Sequence, residues 1–267
     1  MANDKQYSST GIYRYEWIFG PGFLGYGEPQ VTRQIIDSMQ WAPGTRVLDV
    51  GSGLGGPAFL MAGEYGAVVT GVDLTQEIVD IARERQQGQN IANVSFHQGD
   101  IHEMGWDEQS FDVIWSRETL LHVPDKDELF QKFYRWLVPG GAVMITDYAR
   151  RREQGSEKFE NYIRESGYPL VELEEYGNHI RQAGFDKVRI EDETSQLVQI
   201  LQNQIEKLDS GRSEFIQKFS DEDYTYLRSR WQLKLDCCRD GDMKWGWFSA
   251  SFRRLSRISS FGLPVSS

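Results

Sequence analysis

The segment Val47-Leu48-Asp49-Val50-Gly51-Ser52-Gly53-Leu54-Gly55-Gly56 constrains this chain more than any other. A short apolar run ending in glycine reads as a buried parallel strand. The glycines that follow mark a backbone that turns sharply or lets something approach closely. Gly55 to Tyr65 then carries helical spacing. Taken alone, such a turn marks any tight strand-to-helix connection.

The same rhythm continues. Val68 to Val72 reads as a second strand closed by Asp73, and Glu77 to Gln86 has helical spacing. Val94 to His97 and Phe111 to Trp115 give two further strands. Glu128 to Leu137 is an amphipathic helix, stopped by Pro139-Gly140-Gly141, and Ala142 to Thr146 is a fifth strand. Alternating strands and helices predict an α/β fold with a mostly parallel sheet and helices on both faces. Lys187 to Ile190 adds a strand, and Lys244 to Phe252 alternates like an antiparallel last strand. We read residues 1–267 as one domain. Its core covers about 29–148, 183–193 and 241–254. A helical lid comes from 149–182 and 194–240, and an N-terminal arm, 1–28, closes the site. The lid is expected over the carboxyl edge of the sheet, where ligands of open α/β sheets bind.

Composition narrows the partners. With 40 acidic and 29 basic residues, the net charge is −11, which repels nucleic acid and anionic lipid. The adjacent Cys237 and Cys238 make neither an easy disulfide nor a zinc pair, so a reducing, cytoplasmic setting is expected. The segment MANDKQYSST lacks the pattern of a secretory leader, and no apolar run has the length of a membrane span. We expect no metal, and a monomer acting on a small molecule.

The acids at the strand ends suggest the ligand. Asp49-x-Gly51-x-Gly53 follows a strand and opens a helix. NAD sites usually show GxGxxG for a pyrophosphate. Here an acid precedes the first glycine, which suits S-adenosylmethionine, whose cationic methionine end Asp49 can meet. Asp73 is placed to accept hydrogen bonds from both ribose hydroxyls. Asp100 is placed to touch the adenine amino group, with Leu74 and Ile101 sandwiching the ring.

At these residues the chain resembles the class I methyltransferases, with their Rossmann-like sheet. It is similar, more narrowly, to the phosphoethanolamine N-methyltransferase family over about residues 5–253. The resemblance is carried by Gln6-Tyr7, Tyr15-Glu16-Trp17-Ile18-Phe19-Gly20, Gly51 to Gly56, Ser116-Arg117-Glu118 with Leu121-His122, Ile145 to Tyr148, Trp231 to Lys234, and Lys244-Trp245-Gly246. It implies S-adenosylmethionine as cofactor, S-adenosylhomocysteine as product, and N-methylation of phosphoethanolamine towards phosphocholine. It implies a catalytic pair of Tyr7 and His122. It assigns cofactor contacts to Tyr15, Leu24, Gly25, Gly51, Asp73, Leu74, Asp100, Ile101 and Arg117. Acceptor contacts fall on Gln6, Tyr7, Glu118, Tyr148, Tyr162, Tyr168 and Lys234, the last four towards the phosphate. Two positions depart from the pattern: Ser166 stands where the family commonly has an arginine, and Glu118 where an Asp is frequent. Arg164 lies close to the first.

The chemistry agrees with those residues. A protonated amine has no lone pair to attack a sulfonium methyl group, so a base is needed, and the ordinary pKa of histidine suits His122 to that role. Two alternatives stand beside this reading. One is the same transfer to a different small amine, which Ser166 allows. The other is an S-adenosylmethionine-binding protein without catalysis.

Overall fold

In the computed structural model, the described residues are 9–27 and 29–252. Helices α1 (Ser9–Phe19) and α2 (Gln30–Asp37) precede a run of strands and helices. These are β1 (Arg46–Val50), α3 (Gly56–Tyr65), β2 (Val68–Asp73), α4 (Gln76–Gln89), β3 (Val94–Gln98) and β4 (Phe111–Arg117). A single 3-10 turn, Leu120–His122, leads into α5 (Lys126–Trp136) and β5 (Leu137–Arg150). Then come α6 (Glu157–Ser166), α7 (Leu173–Gln182), β6 (Asp186–Asp192), α8 (Thr194–Ser210), α9 (Arg212–Lys218), α10 (Asp221–Arg239) and β7 (Met243–Ser251).

The sheet has seven strands in the order β3-β2-β1-β4-β5-β7-β6. β1 pairs in parallel with both β2 and β4, so Val47, Leu48 and Val50 are buried from both faces. β7 is antiparallel to both β5 and β6 and is the last strand of the described chain. The chain order reverses between β1 and β4, and the carboxyl ends of those strands flank a crevice where open α/β sheets take their ligands.

Local chemistry sets several element ends. The Asp125 carboxylate accepts the Glu128 amide and starts α5, which has Asp127 and Glu128 in its first turn and Arg135 in its last. Ser220 accepts the Asp223 amide and starts α10 in the same way. Pro139-Gly140-Gly141 does not stop the helix, as the sequence suggested. α5 already ends at Trp136, and the three residues form an irregularity within β5, where the pairing jumps from Phe111–Leu137 to Val113–Ala142.

The segment 149–182 also divides differently from the lid expectation. Ala149 and Arg150 complete β5, and α7 packs on the sheet. Tyr176 of α7 is fully buried and its ring stacks on Phe248 of β7 at 4.1 Å. Tyr176 and Ile180 are apolar on one face, and burial against Phe130, Phe133 and Phe185 outweighs an exposed placement. α8 and α10 pack on each other and on β7. Among the described residues no helix is long and apolar enough to cross a membrane, and no His/Cys/Asp/Glu cluster could hold a metal ion.

Candidate active site

One continuous cavity opens at the crevice beside β1 and β4. Its first half is built by backbone. The Gly51 and Ser52 amides both donate to the Val72 carbonyl, at 2.8 and 3.0 Å, which folds the turn against β2. Gly51 has φ +77°, and a Cβ there would run into the Thr119 side chain. Gly53 has φ +52° and would meet only Leu24 Cδ1, at 3.6 Å. The first glycine is therefore required by packing, and the second leaves room for a close approach.

Asp73 ties this half together. Its Oδ2 accepts the Gly53 amide at 3.1 Å and its Oδ1 the Thr75 amide at 3.0 Å. Burial raises its pKa, and the amides of Thr75 and Gly53 pull it back down. Each oxygen retains a lone pair, so the carboxylate can still accept the hydroxyls of a sugar. Ser52 Oγ, in the same lining, is buried with no hydrogen-bond partner among the described residues. Amides, an acceptor carboxylate and an unsatisfied hydroxyl at a switch point fit the polar atoms of S-adenosylmethionine.

Side chains build the second half. Lys234 of α10 is 8% exposed, and its ammonium donates to the phenolic oxygens of Tyr26 and Tyr148, the latter at 3.3 Å. Burial, and then Arg230 close by, push its pKa down to about 7. Burial also raises the Tyr26 and Tyr148 phenols well above their ordinary range, so they remain protonated donors. Tyr168 and Arg230 complete this wall.

Between the halves lie Glu118 and His122. Glu118 sits at φ +44°, a conformation that costs a non-glycine residue about 1–3 kcal/mol. Three contacts hold it there. Its Oε1 accepts from Thr146 Oγ1 at 2.7 Å and from Trp245 Nε1 at 3.0 Å, and its Oε2 faces Arg117 at 3.4 Å. Oε2 itself carries no hydrogen bond among the described residues. His122 ends the 3-10 turn and keeps an exposed face at the cavity, edge-on to the Tyr168 ring at 5.1 Å. Partial burial, then Lys126 and Lys234, lower its pKa. Lys126 is buried under this turn and donates to the Leu120 and Val123 carbonyls, at 3.0 and 2.8 Å. It thereby clamps the turn that carries His122.

The cavity gathers most of the residues singled out from sequence: Tyr15, Leu24, Gly25, Gly51, Gly53, Asp73, Arg117, Glu118, His122, Tyr148, Tyr168 and Lys234 all line it. Five others sit outside that lining. Asp49 is buried within β1, and Leu74 is 65% exposed. Asp100 accepts the His102 amide at 2.8 Å, while Ile101 is packed in the core with Val50 and Val72. Tyr162 is fully buried behind the wall, its ring under the Arg230 guanidinium at 5.1 Å. Arg164 is exposed and donates to Asn161, so it does not stand in for an arginine at Ser166. Gln6 and Tyr7 lie outside the described residues.

Sequence reasoning missed Tyr26, Leu227, Arg230 and Trp231, which also line the cavity. A signal for three of them was present. Leu227, Arg230, Trp231 and Lys234 follow the i, i+3, i+4, i+7 spacing of one helical face.

This sheet order, with its crevice of glycine amides and a carboxylate, defines a methyltransferase of class I. Residues 42–202 match the family described as a methyltransferase domain. The chain is 40% identical over 249 residues to phosphoethanolamine N-methyltransferase 1 of Arabidopsis thaliana, a match covering 93% of this chain and 50% of that one. It is 33% identical over 251 residues to the phosphoethanolamine N-methyltransferase of Plasmodium falciparum, covering 93% of this chain and 94% of the other. A solved structure of Haemonchus contortus phosphoethanolamine N-methyltransferase 2, in complex with phosphomonomethylethanolamine and S-adenosylhomocysteine, superposes with a TM-score of 0.90. That pair shares 35% identity over 93% of this chain and 59% of the other. The chain thus belongs to the phosphoethanolamine N-methyltransferase family. It spans about half the length of the curated plant relatives it matches.

Proposed function

We propose that this chain is an S-adenosylmethionine-dependent N-methyltransferase acting on phosphoethanolamine and its mono- and dimethyl forms, towards phosphocholine. One observation carries the reading. A single cavity joins a glycine-and-carboxylate half to a half built of a lysine, an arginine and tyrosine hydroxyls, with a histidine and a carboxylate between them. A phosphobase has a matching layout, an anionic phosphate at one end and an amine at the other.

S-adenosylmethionine, when bound, supplies the methyl group as a sulfonium. The Gly51–Gly53 turn and Asp73 hold it, with Tyr15, Leu24, Gly25 and Arg117 around it. In this reading Asp49 meets the cationic methionine end, Asp100 the adenine amino group, and Leu74 and Ile101 the two faces of the ring, although the cavity lining includes none of the four. Lys234, Tyr148 and Tyr168 bind the phosphate, with Tyr162 backing them. Glu118 receives the ammonium on Oε2, which faces Arg117 at 3.4 Å and has no hydrogen bond among the described residues. His122 takes the amine proton. Its lowered pKa keeps the imidazole neutral near pH 7, which is the state a base requires. The family resemblance assigns Tyr7 as partner of His122 and Gln6 to the acceptor, and both lie outside the described residues. Alignment and exclusion of water account for the remainder of the rate.

We further propose a cytoplasmic monomer with no nucleic-acid partner; the net charge of −11 argues against a polyanion, and two free, buried thiols, Cys237 and Cys238, suit a reducing compartment. Ser166 is the one feature favouring a different small amine. The test is direct: purified protein and labelled cofactor are offered phosphoethanolamine and its mono- and dimethyl forms. Label in at least one of them is expected, and the reading fails if all three stay unlabelled.

A further inference from the structure

Arg230 and Lys234 lie four residues apart on α10, about one turn or 6 Å along the helix, and both line the cavity. Two cations on one face repel each other, and proteins normally place carboxylates beside them. Here, among the described residues, neither forms an ion pair. Arg230 instead donates to Ser166 Oγ at 3.2 Å and lies over the rings of Tyr162 and Tyr226, at 5.1 and 5.8 Å. Lys234 has only phenol oxygens. In a chain of net charge −11, two half-buried or buried cations facing one cavity without a counter-ion form a place for an anion.

We propose that Arg230 is a specificity residue for the acceptor phosphate, forming with Lys234 a two-cation clamp supplied by α10. This rests on the reading of the cavity as a phosphobase site. The rings of Tyr162 and Tyr226 hold the guanidinium plane, and Ser166 holds one of its nitrogens, which leaves the remaining N–H groups to a phosphate. Ser166 is thus a small partner that makes room for Arg230. An arginine at position 166 would crowd a second guanidinium against the first. The missing cation of α6 is provided from α10, and the acceptor remains a phosphorylated amine.

The test compares wild type with Arg230→Gln, Arg230→Lys, Ser166→Arg and the double variant Arg230→Gln/Ser166→Arg. Binding of phosphoethanolamine and of inorganic phosphate is measured by calorimetry, alongside binding of S-adenosylhomocysteine as a check on the fold. Arg230→Gln should weaken phosphoethanolamine and phosphate binding about 10- to 100-fold. It should raise KM with kcat at saturation little changed, and leave S-adenosylhomocysteine binding unaltered. Arg230→Lys should lose less, and the double variant should regain part of the loss. The inference is overturned if Arg230→Gln binds phosphoethanolamine and phosphate within twofold of wild type while S-adenosylhomocysteine still binds. It is equally overturned if Arg230→Lys and the double variant, both folded by that check, bind phosphate no better than Arg230→Gln. Failure of the functional reading looks different. In that case no phosphobase is methylated, yet inorganic phosphate still binds in an Arg230-dependent way, and the anion clamp stands.

Discussion

The two halves of the cavity are built by different means. At the glycine turn, consecutive residues and their own amides make the surface, with Asp73 one strand away. At the anion wall, Tyr26, Tyr148, Tyr168, Arg230 and Lys234 come from a loop, from β5, from the residues after α6, and from α10. The first half holds one carboxylate, Asp73, closely bonded to backbone amides. The second holds an uncompensated positive charge. A site made of local backbone tolerates little change, whereas one made of distant side chains can draw its cations from any element that reaches the wall, here α10.

The largest effect should come from the residue between them. His122→Ala is expected to lower kcat about 10²- to 10⁴-fold while leaving both ligands bound, read by steady-state kinetics and calorimetry. Loss of either binding affinity would show that His122 belongs to one half. Next come paired variants. Asp73→Ala should weaken S-adenosylhomocysteine about 10- to 100-fold and leave phosphate binding alone, and Lys234→Met should do the reverse. In the double variant the two losses should add, because the sites share no partner. Non-additivity would dissolve the division into halves.

Lys234→Met carries a further prediction of opposite sign for stability. Folding lowers this lysine's pKa from its ordinary range to about 7, so the unfolded chain binds the proton more readily. The charge is therefore a cost to the fold that is fully present below pH 7 and relieved as pH rises above it. At pH 6 the variant should melt about 2–4 °C higher, measured by calorimetry, even as it loses its anion. In wild type, phosphate affinity should fall as pH rises through about 7, by up to about tenfold per unit, and this limb should vanish in Lys234→Met. The smallest effect is expected of Tyr26→Phe, which removes one oxygen from the ammonium and should weaken phosphobase binding about three- to tenfold.

The strand-helix alternation was legible because its period and its glycines are local. The strands read at 47–50, 68–72 and 94–97 lie within β1, β2 and β3. The placement of α7 was not legible, since an amphipathic helix of its composition suits a lid and a layer equally. Only contact with Phe248 and Phe185 decides between them. In the site, Asp73 and the glycines could be read from the motif. Tyr26 had no local signal, and Arg230 had one only after 221–239 was treated as a single helix.

By itself the sequence determined the α/β class, the glycine turn with its strand-end carboxylate, and the family resemblance, because each depends on residues adjacent in the chain or at a short period. The tertiary structure alone decided that α10 supplies two cations to one wall, that Trp245 on β7 holds Glu118 in its strained conformation, and that Ser166 faces Arg230. Those contacts join residues far apart in sequence, and their energies depend on burial and distance, which no local pattern of residues specifies.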